Sequence, residues 1–395
     1  MTDSPTNIAR PAIPRTVWAL GFVSLFMDIS SEMIHALLPL FLTTTLGASV
    51  ILVGVIDGIA ESTASIAKVF SGYVSDKVGR RKPLILIGYA FGALSKPFFA
   101  IASAPMLVLG ARFGDRIGKG LRGAPRDALV ADVTPPEIRG RAYGVRQSLD
   151  TIGAFVGPLI AIALMALLSN DMRAVFWLAL IPALIAVLLV IIGVEDRAVG
   201  DTRKGPPIRL GDLKRLNVGF WRVAALGVVF TLARFSEAFL VLKANAEGLP
   251  LALAPLVLVV MNVVYAVGAA PAGALSDRTS PRTLLFWGLI ALVAADMALA
   301  FGPGLWGAFL GIGLWGAHMA LTQGLLTKLV ADHAPDDLRG SAFGFFNLAT
   351  GVTLLVASVV AGTLWETIGA QATFVAGGVF ALVASLMLLA WRRAG

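Results

Sequence analysis

The 395-residue chain contains no cysteine, which excludes disulfides and thiolate metal sites. Charge is scarce as well. Only 14% of residues are Asp, Glu, Lys or Arg, where a soluble globular chain carries about a quarter, so a water-soluble fold is excluded. There are three histidines, and one of them, His333, sits in a polar stretch beside Asp336 and Asp337 that reads as a solvated turn. No nucleotide-binding loop is present: GDRIGKGLRG at 114–123 lacks the GxxxxGK[ST] spacing and falls inside an apolar span, so drive by ATP is not expected. The opening MTDSPTNIARPAIPRT has no short apolar core followed by a small-residue cleavage site, so no cleaved signal is expected.

Hydrophobic residues make up 57% of the chain and mean hydropathy is +0.83, the composition of an integral membrane protein. The 42 glycines and 20 prolines suit closely packed and broken helices, which bilayers tolerate when neighbours satisfy the freed backbone groups. Apolar windows of about twenty residues predict twelve spans, near 16–42, 50–74, 83–104, 105–132, 142–168, 174–194, 220–243, 251–275, 283–302, 304–331, 342–365 and 372–391. The fourth is crowded with charge. Basic residues such as Arg15, Lys77, Lys82, Arg139, Arg203, Arg282, Arg339 and Arg392 fall in one alternating set of loops, and the other set holds little beyond Arg173. The positive-inside rule then places both termini and the middle linker on the cytoplasmic side of an inner membrane. The excess of basic residues is accounted for by anionic lipid, with no nucleic acid required.

Two internal repeats give the organisation. GYVSDKVGRRK at 72–82 returns as GALSDRTSPR at 273–282, and VADVTPPEIRGRAYGVRQ at 130–147 returns as VADHAPDDLRGSAFGFFN at 330–347. Both copies recur at nearly one offset and in the same order, so the halves are parallel copies of one membrane unit. The expected fold is all-α, with twelve transmembrane helices in two pseudo-symmetric six-helix bundles. Its parts are a cytoplasmic segment 1–15, an N-terminal bundle 16–194, a polar linker 195–219, a C-terminal bundle 220–391 and a short tail 392–395.

Charges inside spans are costly, about 2.5–3.5 kcal/mol at a helix centre on insertion scales, so they are expected to face an interior cavity. Span one carries Asp28, Glu32 and His35 on one helical face, and span two carries Asp57 and Glu61. Carboxylates this close cannot all ionise easily, so Asp28, Glu32, Asp57, Glu61, Asp115 and Asp150 are candidate proton carriers. Span four bears a cationic stripe of Arg112, Arg116, Lys119, Arg122 and Arg126, with Arg146 following on span five. These bases could pair with the acids. So many pairs exceed what structure alone rewards, because buried pairs barely offset their desolvation. The second half is milder: Arg116, Arg122 and Arg126 correspond to Gly316, Thr322 and Leu326, and Glu61 to Asn262. There Arg234, Glu237, Asn262, Tyr265, His318 and Gln323 join His35 and the arginines as candidate substrate contacts.

Gly72, Asp76, Gly79, Arg80 and Arg81 match the GxxxDxxGRR/K signature between spans two and three of the major facilitator superfamily, which the chain resembles over nearly its whole length. Arg112 stands at the place of that family's membrane arginine, and GAFVGPLIA in span five resembles its antiporter-associated pattern through Gly153, Gly157 and Pro158, with Ala161 replacing a glycine. The resemblance implies a monomer working by alternating access, with Asp76 and Arg80 in an ionic latch to the other bundle. In the second copy, Asp277 and Arg278 form a looser version, since Ser280 and Pro281 follow.

Together these observations predict a proton-coupled secondary transporter without cofactor or enzymatic chemistry, exporting a small organic molecule in exchange for protons. The competing expectation is uptake or exchange of an anionic metabolite gripped by Arg112, Arg116, Lys119, Arg122 and Arg234. A divalent metal at Asp28, Glu32 and His35 is a lesser alternative, because the neighbouring arginine stripe would repel it. A non-transporting receptor is another.

Overall fold

The computed structural model describes residues 12–196, 213, 215–276, 279–335 and 338–393, and among them every regular element is helical. The spans are α1 (Arg15–His35), α2 (Val50–Val78), α3 (Lys82–Ile101), α4 (Pro105–Val133), α5 (Arg139–Leu167), α6 in two pieces (Met172–Leu178 and Leu180–Gly193), α7a (Val218–Ala233) with α7b (Ala238–Ala246), α8 (Leu256–Ser276), α9 (Pro281–Phe301), α10 in two pieces (Gly304–Thr322 and Leu325–His333), α11 (Arg339–Thr367) and α12 (Ala370–Arg393). Most of the 195–219 linker and residues 1–11 lie outside the described residues, as do Asp277 and Arg278.

Local chemistry sets many of the boundaries. Ser49 begins α2 by accepting a hydrogen bond from Leu52 N at 3.2 Å, and Asn217 begins α7a by accepting from Phe220 N at 2.8 Å. Gly79 ends α2 in the left-handed region at φ +69°, with its N–H donated to Ser75 O. This is the physical reason for a glycine at that position of the loop motif.

Among the described residues eleven helices are long and apolar enough to cross a membrane; the charge-rich α4, the twelfth long helix, is not one of them. Its 29 residues match the length of α2. Packed between α2 and α3, it buries Arg112, Asp115, Arg116 and Arg122 in protein and keeps them from lipid. Expected and observed spans otherwise differ mainly at breaks. After His35 the first span bends through a short turn, Leu38–Leu40, and a π-helical turn, Phe41–Thr45. The seventh unwinds at Arg234–Ser236, and the tenth breaks at Gln323 and Gly324.

In the first bundle α1 packs on α5 and on the second piece of α6; in the second, α9 packs on α10 and α12. Glycine permits the closest approaches. A methyl group at Gly157 would stand 2.8 Å from Ile29 O of α1. Between bundles the main seam joins α2 to α11, with a smaller one joining α5 to α8. Along the first, a methyl at Gly58 would stand 3.0 Å from Leu355 Cα, and one at Gly362 would stand 2.8 Å from Ile51 Cα. Ser62 donates to Gly351 O, and Ile51 N donates to Glu366 Oε2 at 3.1 Å. These contacts run from the middle of α2 to its N-terminal end, so the bundles are closed on the face carrying the α1–α2 and α11–α12 connections.

Candidate functional site: a charged cavity between the bundles

Between the bundles lies a cavity of about 410 Å³, within the size range of small-molecule sites. From the first bundle, α1 contributes Glu32 and His35, α2 contributes Asp57, Glu61 and Ser65, and α4 contributes Arg116 and Lys119. Helical spacing explains the selection, since Asp57, Glu61 and Ser65 recur every four residues on one face of α2. The opposing wall comes from the unwound middle of α7, with Asn262 on α8, Trp315 on α10 and Ser358 on α11.

The first wall is a chain of pairs. Arg112 Nη2 donates to Asp57 Oδ1 at 3.2 Å and lies 3.8 Å from Glu61 Oε1, which Arg116 Nη1 approaches at 3.3 Å. Arg116 Nε lies 3.8 Å from Asp115 Oδ2, and Asp115 Oδ1 accepts from Lys96 Nζ at 2.9 Å. Lys96 also donates to Ser31 Oγ at 3.1 Å. The chain crosses to the other bundle where Ser236 Oγ donates to Asp57 Oδ2 at 2.7 Å. His35 Nδ1 stands 3.6 Å from Glu32 Oε2. Lys119 reaches the cavity with no ion-pair partner among the described residues.

A second charged cluster lies further along α4 and α5, away from the cavity wall. Arg126 reaches Asp127 at 3.2 Å, Asp150 at 3.8 Å and Ser24 Oγ at 2.9 Å, and Arg146 approaches the same Asp150 at 3.6 Å. Asp28 faces α5, where a methyl at Gly153 would stand 3.0 Å from its Cβ. Arg122 stacks over Tyr89, 4.5 Å from the ring centroid. The span-one stripe read from the sequence thus divides three ways: Asp28 turns to α5, Ser31 to Lys96, and Glu32 with His35 to the cavity.

The second wall carries few charges, and those are unpaired. Arg234 and Glu237 flank the break in α7 and line the cavity, neither in an ion pair among the described residues. Phe230, Phe235 and Trp315 supply its apolar surface, with Phe235 and Trp315 rings 5.5 Å apart. Trp315 Nε1 and Ser358 Oγ are buried without hydrogen-bond partners among the described residues. Tyr265 and His318 lie outside the cavity lining and Gln323 is exposed at the break in α10. His318 donates Nδ1–H to Gly288 O at 2.7 Å and packs behind Phe230. Among the described residues no group of three or more His, Asp or Glu side chains is arranged to hold a metal ion.

The family model of the Major Facilitator Superfamily matches residues 20–261 and 238–395. The chain belongs to the major facilitator superfamily. An uncharacterized MFS-type transporter of Methanocaldococcus jannaschii, MJ1317, is 29% identical over 383 residues, 95% of each chain. Multidrug resistance protein MdtH of Photorhabdus laumondii is 30% identical over 158 residues, 40% of this chain and 38% of its own. A crystal structure of a POT family transporter in complex with 5-aminolevulinic acid superposes with a TM-score of 0.80 at 12% identity, covering 96% of each chain. The protein is therefore an MFS-type transporter with the twelve-helix fold of that superfamily.

The superfamily's loop motif clamps the ends of its own bundle. Arg81 donates Nη1–H to Ser75 Oγ at 2.8 Å and Nε–H to Asp132 Oδ2 at 3.2 Å, tying the α2–α3 turn to α4. Asp196, after α6, accepts from the backbone N–H groups of Arg81 and Lys82 at 3.2 and 3.3 Å. Arg80 is exposed, Gly72 packs toward Ala124, and the side chain of Asp76 lies outside the described residues. Two buried charges of this superfamily member escape a motif reading, Lys96 on α3 and Asp296 on α9. Asp296 is fully buried, and neither carboxyl oxygen has a hydrogen-bond partner among the described residues. Each is a lone charge in an apolar run, ALSKPFF and VAADMAL, and the cost of charge in a span is the signal that marks them.

Proposed function

We propose that the protein is a proton-coupled secondary transporter that moves a small organic molecule by alternating access, exporting it in exchange for protons. One observation carries this reading: the string Ser236–Asp57–Arg112–Glu61–Arg116 begins in one bundle and ends on a cavity-facing arginine of the other. Protonating Asp57 or Glu61 removes the charge that holds Arg112 and Arg116, and at Asp57 it loosens the link to Ser236. Proton occupancy and bundle contact are then two ends of one lever. Arg126, Arg146, Asp28 and Asp150 form a second stage, where two neighbouring carboxyls compete for the same arginines. The export direction draws on the similarity of part of the chain to a multidrug resistance protein. The protein acts as a monomer in the inner membrane, with both termini cytoplasmic, so the closed seam faces outward and the cavity is loaded from within.

Proteoliposome flux tests this reading. Asp57→Asn and Glu61→Gln are expected to abolish flux driven by a pH gradient while leaving solute exchange at equal pH running. Undiminished pH-driven flux in both variants sinks the assignment of coupling to this string. A second reading, uptake or exchange of an anionic metabolite, is favoured by Lys119 and Arg234, two cavity cations without an ion-pair partner within 4 Å among the described residues. Inward, proton-dependent accumulation of anions alone would select it.

A further inference from the structure

In the second bundle's cavity wall, the charged side chains make no ion pair within 4 Å among the described residues. Arg234 and Glu237 stand three residues apart across the unwound middle of α7, one cation and one anion, each lining the cavity. An intact helix would set residues at this spacing on one face as a pair. The break releases them, because Ser236 between them turns its hydroxyl to Asp57 and accepts Ala238 N at 3.1 Å. Behind them the wall is closed by Trp315 and Ser358, both completely buried. The adjoining surface is aromatic, from Phe230 and Phe235.

We propose that this wall is the substrate site and that it selects a zwitterion: a carboxylate held by Arg234, an ammonium held by Glu237, and an apolar or aromatic group against Phe230 and Phe235. The proposal rests on the transport reading above and names its cargo class as amino-acid-like or short peptide-like compounds. A ligand bearing only one charge leaves the opposite protein charge unpaired in the cavity, and that asymmetry is the source of selectivity.

The test is binding by the purified full-length protein, read by tryptophan fluorescence and thermal shift, to phenylalanine, N-acetylphenylalanine and phenylalanine methyl ester, with a neutral dipeptide as a longer zwitterion. At least one zwitterion is expected to bind about ten-fold or more tighter than either single-charge derivative, the size of one charge-assisted hydrogen bond. Arg234→Gln is expected to bring that zwitterion down to the level of the methyl ester, with Arg234→Lys restoring part of the difference. Glu237→Gln is expected to bring it down to the level of the N-acetyl compound. Equal binding of zwitterion and either derivative to the wild type overturns the proposal, as does binding of none of the four; this wild-type comparison stands even if a variant fails to fold. The transport reading fails separately: a zwitterion that binds selectively yet shows no response to a pH gradient in proteoliposomes keeps the site and removes the coupling.

Discussion

The two bundles share one helical plan and differ in how they carry charge. In the first, buried Lys96, Arg112, Asp115 and Arg116 are joined with Asp57 and Glu61 in one continuous run of pairs. In the second, Arg234 and Glu237 line the cavity with no ion pair within 4 Å among the described residues, and aromatic rings fill the wall around them. Buried pairs contribute little net stability, yet removing one partner is expensive. The first bundle is therefore wired, with every charge of that run held by its neighbours. The second is sparer, with its cavity charges set apart. Under the proposed function, the first would serve coupling and the second recognition.

The strongest way to break that contrast is within the wired bundle. Lys96→Met leaves Asp115 with only the longer contact to Arg116, and about 3–5 kcal/mol of destabilisation is expected, seen as a much lower thermal unfolding temperature in detergent. Lys96→Met with Asp115→Leu is expected to recover most of it, and a double variant no better than the single would show that the pair is not a unit. A middle-sized effect is expected at the bridge. Ser236→Ala removes the 2.7 Å hydrogen bond to Asp57, worth about 1 kcal/mol, and shifts the balance of closed to open bundles roughly five-fold. Spin labels on cysteines introduced at Val50 and Thr367, in a chain that has none of its own, would report that shift as a second distance population. The smallest effect is expected in the bare bundle. Asp296→Val removes a carboxyl that makes no hydrogen bond, so the unfolding temperature should hold within a few degrees or rise. A large fall would mean that Asp296 is partnered after all.

Much of this contrast was legible in the sequence. Repeats at one offset, basic loops on one side and a charged fourth span led to two six-helix bundles, and period-four acids on span two led to the cavity face. The individual partners were not legible, because helical periodicity places a residue on a face without saying which neighbouring helix it meets. Asp28 and Ser31 lie three residues apart on α1 yet meet different helices, α5 at Gly153 and α3 at Lys96. The unwinding of α7 was hidden too, since TLARFSEAFL contains neither glycine nor proline, and tertiary bonds at Ser236 accompany the break. Lys96 and Asp296 lie outside any repeated motif, and their depth comes only from packing.

The α2–α11 seam has a consequence for speed as well as for shape. Where Gly58 and Gly362 meet Leu355 and Ile51, backbone lies nearly on backbone, so few side chains there lose rotamer freedom when the bundles close or regain it when they part. Such a contact behaves as a smooth bearing with little friction from side-chain repacking. On the proposed alternating-access cycle, rocking about it would carry a small entropy difference between the two ends, leaving the direction of each stroke to whatever the cavity binds.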